Sequence, residues 1–159
     1  MKIGDVVADF ELPDQHGTPR RLSTLAANGP LVIFFYPLAG SGGCTREACR
    51  FRDLEQEFAA AGAAIVGIST DSPERQLAFA AANRFSYPLL SDPRGEVTEL
   101  FGVRRHLLAR TLPTKRSTFI VDPSLTLRFQ VSSETNMEVH ANDALAALAT
   151  SPGNWRRLG

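Results

Sequence analysis

Leu31-Val32-Ile33-Phe34-Phe35-Tyr36-Pro37-Leu38-Ala39-Gly40-Ser41-Gly42-Gly43-Cys44-Thr45-Arg46-Glu47-Ala48-Cys49 opens on six consecutive apolar or aromatic residues and closes on a segment carrying two cysteines. The run Leu31 to Tyr36 is short, continuous and rich in β-formers, as a strand covered on both faces requires. Pro37 ends it. From about Cys44 to Ala61 the pattern changes: Ala48, Phe51, Leu54 and Phe58 recur at three- and four-residue intervals, giving one apolar helix face. Gly62 is a natural stop. Ala63 to Ser69 is a second buried strand. Strand, helix and strand in this order form a βαβ unit with parallel strands.

The flanks extend the pattern. Asp9 to Leu12 reads as a strand entering the turn Pro13-Asp14-Gln15-His16-Gly17. Ser72-Pro73-Glu74 starts a helix that runs to about Asn83, with proline at its first position. A short strand is expected at Pro88 to Leu90 and a small helix at Gly95 to Phe101. Ser117 to Asp122 and Leu125 to Val131 form a strand pair around Asp122-Pro123-Ser124. The last helix spans about Met137 to Ala149, with Met137, Ala141, Ala144, Leu145 and Leu148 facing inward. The economical solution is an α/β fold with a central mixed sheet flanked by helices, in a single domain over residues 1–159. The tail from Ser151, with Trp155 and Arg156-Arg157, shows no periodicity.

Composition narrows the function. The chain has 159 residues and 43% hydrophobic content, enough for a real core. Lys+Arg and Asp+Glu both number 17, which argues against a general nucleic-acid or membrane binder. No apolar stretch reaches the roughly 18 residues that span a bilayer. Met1-Lys2-Ile3-Gly4-Asp5 lacks an apolar core, so no secretory signal is expected and the location is read as cytoplasmic. Thiols there are kept reduced, so a short-spaced cysteine pair is better read as redox-active or metal-binding than as a permanent staple.

Cys44 falls between the C-terminal end of a buried strand and the first turn of a helix. Ligands of open α/β sheets bind in the crevice beyond the strand ends, and free amides and the helix dipole favour an anion there. A thiolate is such an anion and is the reactive form of cysteine. An ordinary thiol is only a few per cent ionised at neutral pH, so the expectation is that the helix terminus and one cation hold Cys44 ionised. Gly42 and Gly43 would let backbone amides approach the sulfur and a substrate. The competing reading is a small buried hydrophobe. Five residues along an ideal helix separate Cα atoms by about 8.6 Å with side chains some 140° apart. A Cys44–Cys49 disulfide, which needs about 7 Å or less, therefore requires the first turns to unwind. Cys49 could also simply flank the apolar stripe. A metal site is the weaker reading: the pair is not CxxC, and His16, His106 and His140 show no ligand spacing near it.

These residues resemble the peroxiredoxin family, in its bacterioferritin-comigratory-protein or peroxiredoxin Q type. The resemblance runs from about Gly4 to Leu148. It is carried by Phe35-Tyr36-Pro37 and Ser41-Gly42-Gly43-Cys44-Thr45-Arg46-Glu47-Ala48-Cys49-Arg50-Phe51-Arg52-Asp53, with Gly67-Ile68-Ser69, Leu90-Ser91-Asp92-Pro93 and Arg116-Ser117-Thr118-Phe119 in support. It implies a thioredoxin-like fold and a thiol peroxidase acting on hydrogen peroxide and organic hydroperoxides, with no metal, haem or flavin cofactor. It also implies Cys44 as peroxidatic and Cys49 as resolving cysteine, a Cys44–Cys49 disulfide, and recycling by thioredoxin or glutaredoxin. Pro37 would shield the thiolate, Ser41 would hydrogen-bond the peroxide, Arg116 would stabilise thiolate and oxyanion, and Glu47 would orient the arginine. A monomer or weak homodimer is implied.

The chain departs from the family at Ser41, commonly threonine, and at Gly42, often proline. Arg104, Arg105, Arg110, Lys115 and Arg116 share one acid-free stretch; Arg116 is singled out by the resemblance and by leading a strand, the other four being read as a solvated loop. Leu107, Leu108 and Leu112 would pack at a dimer surface or under the reductant. His140 is read as a helix histidine with an ordinary hydrogen bond. Two other readings stay open: a general disulfide oxidoreductase, against which the absent CxxC counts, and a non-catalytic redox sensor.

Overall fold

The computed structural model describes residues 1–104 and 114–150. Five strands form one mixed sheet in the order β5-β4-β3-β6-β7: β3 (Leu31–Phe35), β4 (Ala64–Ser69), β5 (Leu89–Ser91), β6 (Ser117–Val121) and β7 (Leu127–Ser132). β3 pairs parallel with β4, and β4 with β5, as the βαβ reading requires. β6 runs antiparallel to both β3 and β7. The fold class is therefore the expected one, an α/β sheet flanked by helices.

Alternation along β3 builds both layers. Val32 and Phe34, with Tyr36 beyond the strand, pack against helices α2 (Gly42–Asp53), α3 (Glu55–Ala60), α4 (Pro73–Asn83) and α6 (Met137–Thr150). Leu31, Ile33 and Phe35 face the other way, onto α1 (Leu22–Leu25), α5 (Glu96–Leu100) and the N-terminal segment. The Phe51 ring of α2 stacks on Phe34 with centroids 4.4 Å apart, which seats the cysteine-bearing helix on the sheet. Gly67 of β4 lies beneath: a Cβ there would come within 2.8 Å of both Phe34 and Leu89. Among the described residues, no helix is long and apolar enough to cross a membrane.

Several boundaries differ from expectation. The helix anticipated over Cys44 to Ala61 starts earlier, at Gly42, and is interrupted at Leu54 (φ −98°, ψ 10°), so it forms two helices. Periodicity alone carries across such a break because Phe51 and Phe58 are buried on the same side of the sheet. Asp9 to Leu12 is replaced by a hairpin of β1 (Glu11–Pro13) and β2 (Pro19–Arg21), with α1 after it. Asp14 organises this turn by accepting from the His16 and Thr18 amides and pairing with Arg20. β7 begins at Leu127, two residues late, because Leu125 adopts φ +64° inside a turn gathered around Asp122. β5 is shifted by one residue. Arg105, His106, Leu107, Leu108, Arg110, Leu112, Trp155, Arg156 and Arg157 lie outside the described residues.

Candidate active site

The site forms where α2 starts, where β3 ends and where β6 begins. The register Phe35↔Ser117 places the first residue of β6 beside the last of β3. Arg116, one residue before β6, therefore arrives next to the loop that leads into α2. Its amide donates to Glu134 Oε1 at 3.0 Å, and its carbonyl accepts from Ser133 N at 3.3 Å. Strand pairing thus brings together residues 72 positions apart in the chain.

Ser41 is the N-cap of α2. Its Oγ accepts the Cys44 amide at 3.3 Å, and its carbonyl accepts Thr45 Oγ1 at 2.7 Å. With an Oγ lone pair engaged by the helix, the hydroxyl proton stays available to a bound group. Cys44 is buried with 0% exposure, as are Glu47 and His140. Arg116 Nη1 lies 3.2 Å from Cys44 Sγ and 2.7 Å from Glu47 Oε2, so one guanidinium nitrogen serves both groups. The buried Arg116 Nε has no hydrogen-bond partner among the described residues. Gly43 makes room for the arginine: a Cβ there would stand 3.2 Å from Arg116 Nη2. Gly42, by contrast, is the first residue of α2 and faces open space.

Of the six residues named from the sequence, Cys44, Glu47 and Arg116 meet through direct hydrogen bonds, and Ser41 joins through the Cys44 amide. Pro37 is buried in the loop after β3. Cys49 stands apart. It is half-buried, and its thiol donates to Asn83 Oδ1 of α4 at 3.6 Å. Both cysteines are free thiols within the unbroken α2. Cys49 also borders a cleft of about 540 Å³ with Arg46, Arg50 and Met137. Among the remaining cations of the loop, Arg104 lies 3.9 Å from Glu99 and Lys115 is exposed.

His140 does more than make an ordinary hydrogen bond. Its Nε2 donates to the Ser133 carbonyl at 2.9 Å, which leaves Nδ1 to accept from Thr118 Oγ1 at 2.9 Å when the ring is neutral. Burial holds its pKa below the ordinary value, against the pull of the Ser133 carbonyl. Nδ1 is also 3.8 Å from Glu47 Oε1, an oxygen without a hydrogen-bond partner among the described residues. Its place behind Glu47 was hidden in the sequence because it depends on α6 packing over α2 and β6.

Burial pushes the Glu47 carboxyl up to about 8 even though Arg116 pulls the other way. A protonated Glu47 can still fix the guanidinium by accepting its N–H, and leaves the positive charge to the sulfur. The sign of the linked stability follows. Between the ordinary 4.5 and about 8, folded protein holds a proton that unfolded chain has released. The group's contribution is full below the lower value and is lost as pH rises through the upper one. Glu47→Gln is expected to flatten this slope by up to about 1 kcal/mol per pH unit within that window. Urea denaturation of both proteins across it checks the point; parallel curves would mean that Glu47 is ionised throughout.

A family model described as AhpC/TSA family matches residues 3–130. A Mycobacterium tuberculosis relative named as a peroxiredoxin is 57% identical over 148 residues, covering 93% of this chain and 96% of its own. Peroxiredoxin Q of Sedum lineare chloroplasts is 37% identical over 145 residues, 91% of this chain and 76% of the relative. Among solved structures, peroxidoxin BcpB from M. tuberculosis superposes with a TM-score of 0.90 at 56% identity, over 94% of this chain and 97% of that one. The Xanthomonas campestris bacterioferritin comigratory protein, studied for alkyl peroxide reduction, gives a TM-score of 0.81 at 32% identity, over 90% and 92%. The chain therefore belongs to the AhpC/TSA family, as a peroxiredoxin of the bacterioferritin-comigratory-protein or peroxiredoxin Q type, a thiol-dependent peroxidase.

Proposed function

We propose that Cys44 is the residue that attacks peroxide and that Cys49 resolves the product. The observation that carries this reading is the Arg116 Nη1 contact with Cys44 Sγ at 3.2 Å, where Cys44 is fully buried and Arg116 is 5% exposed. A fixed cation beside sulfur favours thiolate over thiol. The thiolate attacks the terminal peroxide oxygen, forming an S–O bond as the O–O bond breaks. The departing alkoxide or hydroxide takes up a proton and leaves as alcohol or water. Arg116 and the Ser41 hydroxyl face the oxygen on which charge develops. Pro37 shields the sulfur from water, and Glu47 keeps the arginine in register.

The sulfenic acid then condenses with the Cys49 thiol, releasing water and forming the disulfide. Because both residues lie in one helix, this step requires the first turns of α2 to open. A dithiol protein, thioredoxin or glutaredoxin, returns both sulfurs to thiols by exchange. The protein works as a monomer or weak homodimer, in the cytoplasm, where a free cysteine pair persists between turnovers. Cys49→Ser is the test of the resolving role. It should reduce one equivalent of peroxide at an unchanged rate and then stall with thioredoxin, leaving Cys44 as sulfenic acid by mass spectrometry. Sustained turnover in that variant would remove Cys49 from the cycle.

A further inference from the structure

The loop between β3 and α2, residues 36–41, carries Pro37 and Ser41 and must hold them in place. Three of its amides are tied down. Tyr36 N donates to Ile68 O at 3.1 Å and Ser41 N to Leu38 O at 3.3 Å, both main-chain acceptors. The middle amide, Ala39 N, donates instead to a side chain, Asp71 Oδ2, at 2.7 Å. Asp71 lies just after β4 and is 7% exposed; Ala39 is 9% exposed.

That carboxylate is itself held by a chain of buried polar groups. Ser69 Oγ donates to Asp71 Oδ2 at 2.8 Å and accepts the Asp71 amide at 3.2 Å. Gln76 Nε2 of α4 donates to Ser69 Oγ and to the Leu90 carbonyl of β5, each at 2.9 Å. Gln76 Oε1 accepts the Tyr36 hydroxyl. The network therefore grips the loop at Tyr36 and again at Ala39, with Pro37 between. Ser69, Gln76 and Tyr36 are fully buried. Arg75 Nε, 3.6 Å from Asp71 Oδ1, adds a cation at the solvent edge. No member belongs to α2; the network holds the loop that leads into that helix.

We propose that Asp71 is a positioning residue for the peroxidase cycle. Its grip on Ala39 sets the balance between the closed arrangement, in which Cys44 meets peroxide, and the opened one, in which Cys44 meets Cys49. The proposal rests on the roles assigned to the two cysteines above. With the latch closed, Ser41 caps α2 and Pro37 stays over the sulfur. With it released, the loop carries Ser41 away, the Cys44 amide loses its acceptor and the first turn loosens. The two chemical steps should therefore respond in opposite directions.

Rapid-quench mass spectrometry on the full chain resolves both steps. In Asp71→Ala, oxidation of Cys44 by hydrogen peroxide should slow about tenfold, the scale of one lost hydrogen bond to a charged group. Closure of the Cys44–Cys49 disulfide should become several-fold faster, with less sulfinic acid at Cys44 under excess peroxide. Asp71→Asn keeps an acceptor oxygen and should fall between, and it serves alone if the alanine variant does not fold. Val97→Ala, in the core on the opposite face of the sheet, is the control for general destabilisation and should leave the ratio of the two rates unchanged. The proposal is overturned if Asp71→Asn leaves both rates as in the parent, or slows both together. Failure of the cysteine assignment looks different: the parent protein itself would show no oxidation at Cys44.

Discussion

Cys44→Ser is expected to bring peroxide consumption down to the protein-free background, a loss on the order of 10⁴-fold or more for removal of a nucleophile. The substitution keeps a small side chain at the third position after the α2 cap, so Ser41 and Arg116 retain their supports. It replaces a polarizable sulfur by a hydroxyl that stays protonated near neutral pH, and the O–O bond then lacks an electron pair to break it. Cys49 remains as an internal control. That thiol is half-buried and donates to Asn83 Oδ1. It should report the slow reaction of an ordinary protein thiol. Consumption of hydrogen peroxide and of an alkyl hydroperoxide, with thioredoxin present, reads the outcome. Fast turnover surviving in this variant would transfer the chemistry to Cys49.

The second large effect is expected at Arg116. Arg116→Leu removes the donor 3.2 Å from Cys44 Sγ and the rest of the guanidinium with it. Loss of one donor aimed at developing charge costs about 10²–10³-fold in other enzymes, and the same range is expected here for oxidation of Cys44. Glu47 would lose its partner, and because burial already pushes its carboxyl up, it can remain in place as the neutral acid. The fold should therefore survive while reactivity falls. Arg116→Lys should recover only part of the rate, since an ammonium cannot present the same planar fork to sulfur, carboxylate and substrate at once. Stopped-flow oxidation of the three proteins, beside their urea midpoints, separates reactivity from stability. A lysine variant as fast as the parent would show that charge alone matters.

The elements with strong periodicity were legible from the chain. β3 and β4 announce themselves as unbroken apolar runs, and α6 by its spaced small residues, because burial on one or two faces leaves a mark every few positions. The N-terminal hairpin was not legible: its strands are three residues each and rest on Asp14 contacts that carry no periodic signal. The break at Leu54 was missed for the opposite reason, since the apolar stripe continues through it.

At the candidate site, the motif around Cys44 could be read directly, and resemblance pointed to Arg116 among five cations. Sequence could not show that Glu47 Oε1 looks toward His140, or that Asp71 holds the loop through Ala39. Gln76 follows Glu74 and Arg75 in the first turn of α4, so nothing in its local sequence marks it as buried or names its partners.

By itself the sequence determined the strand–helix–strand unit, the placement of a cysteine at a helix mouth and the second cysteine five residues on. These are local matters, set by which side chains recur at which spacing. Only the tertiary structure decided which cation reaches the sulfur, which carboxyl steadies it and what anchors the loop. Those contacts join residues 32 to 72 positions apart, and they exist because strand register and helix packing bring distant side chains to one place.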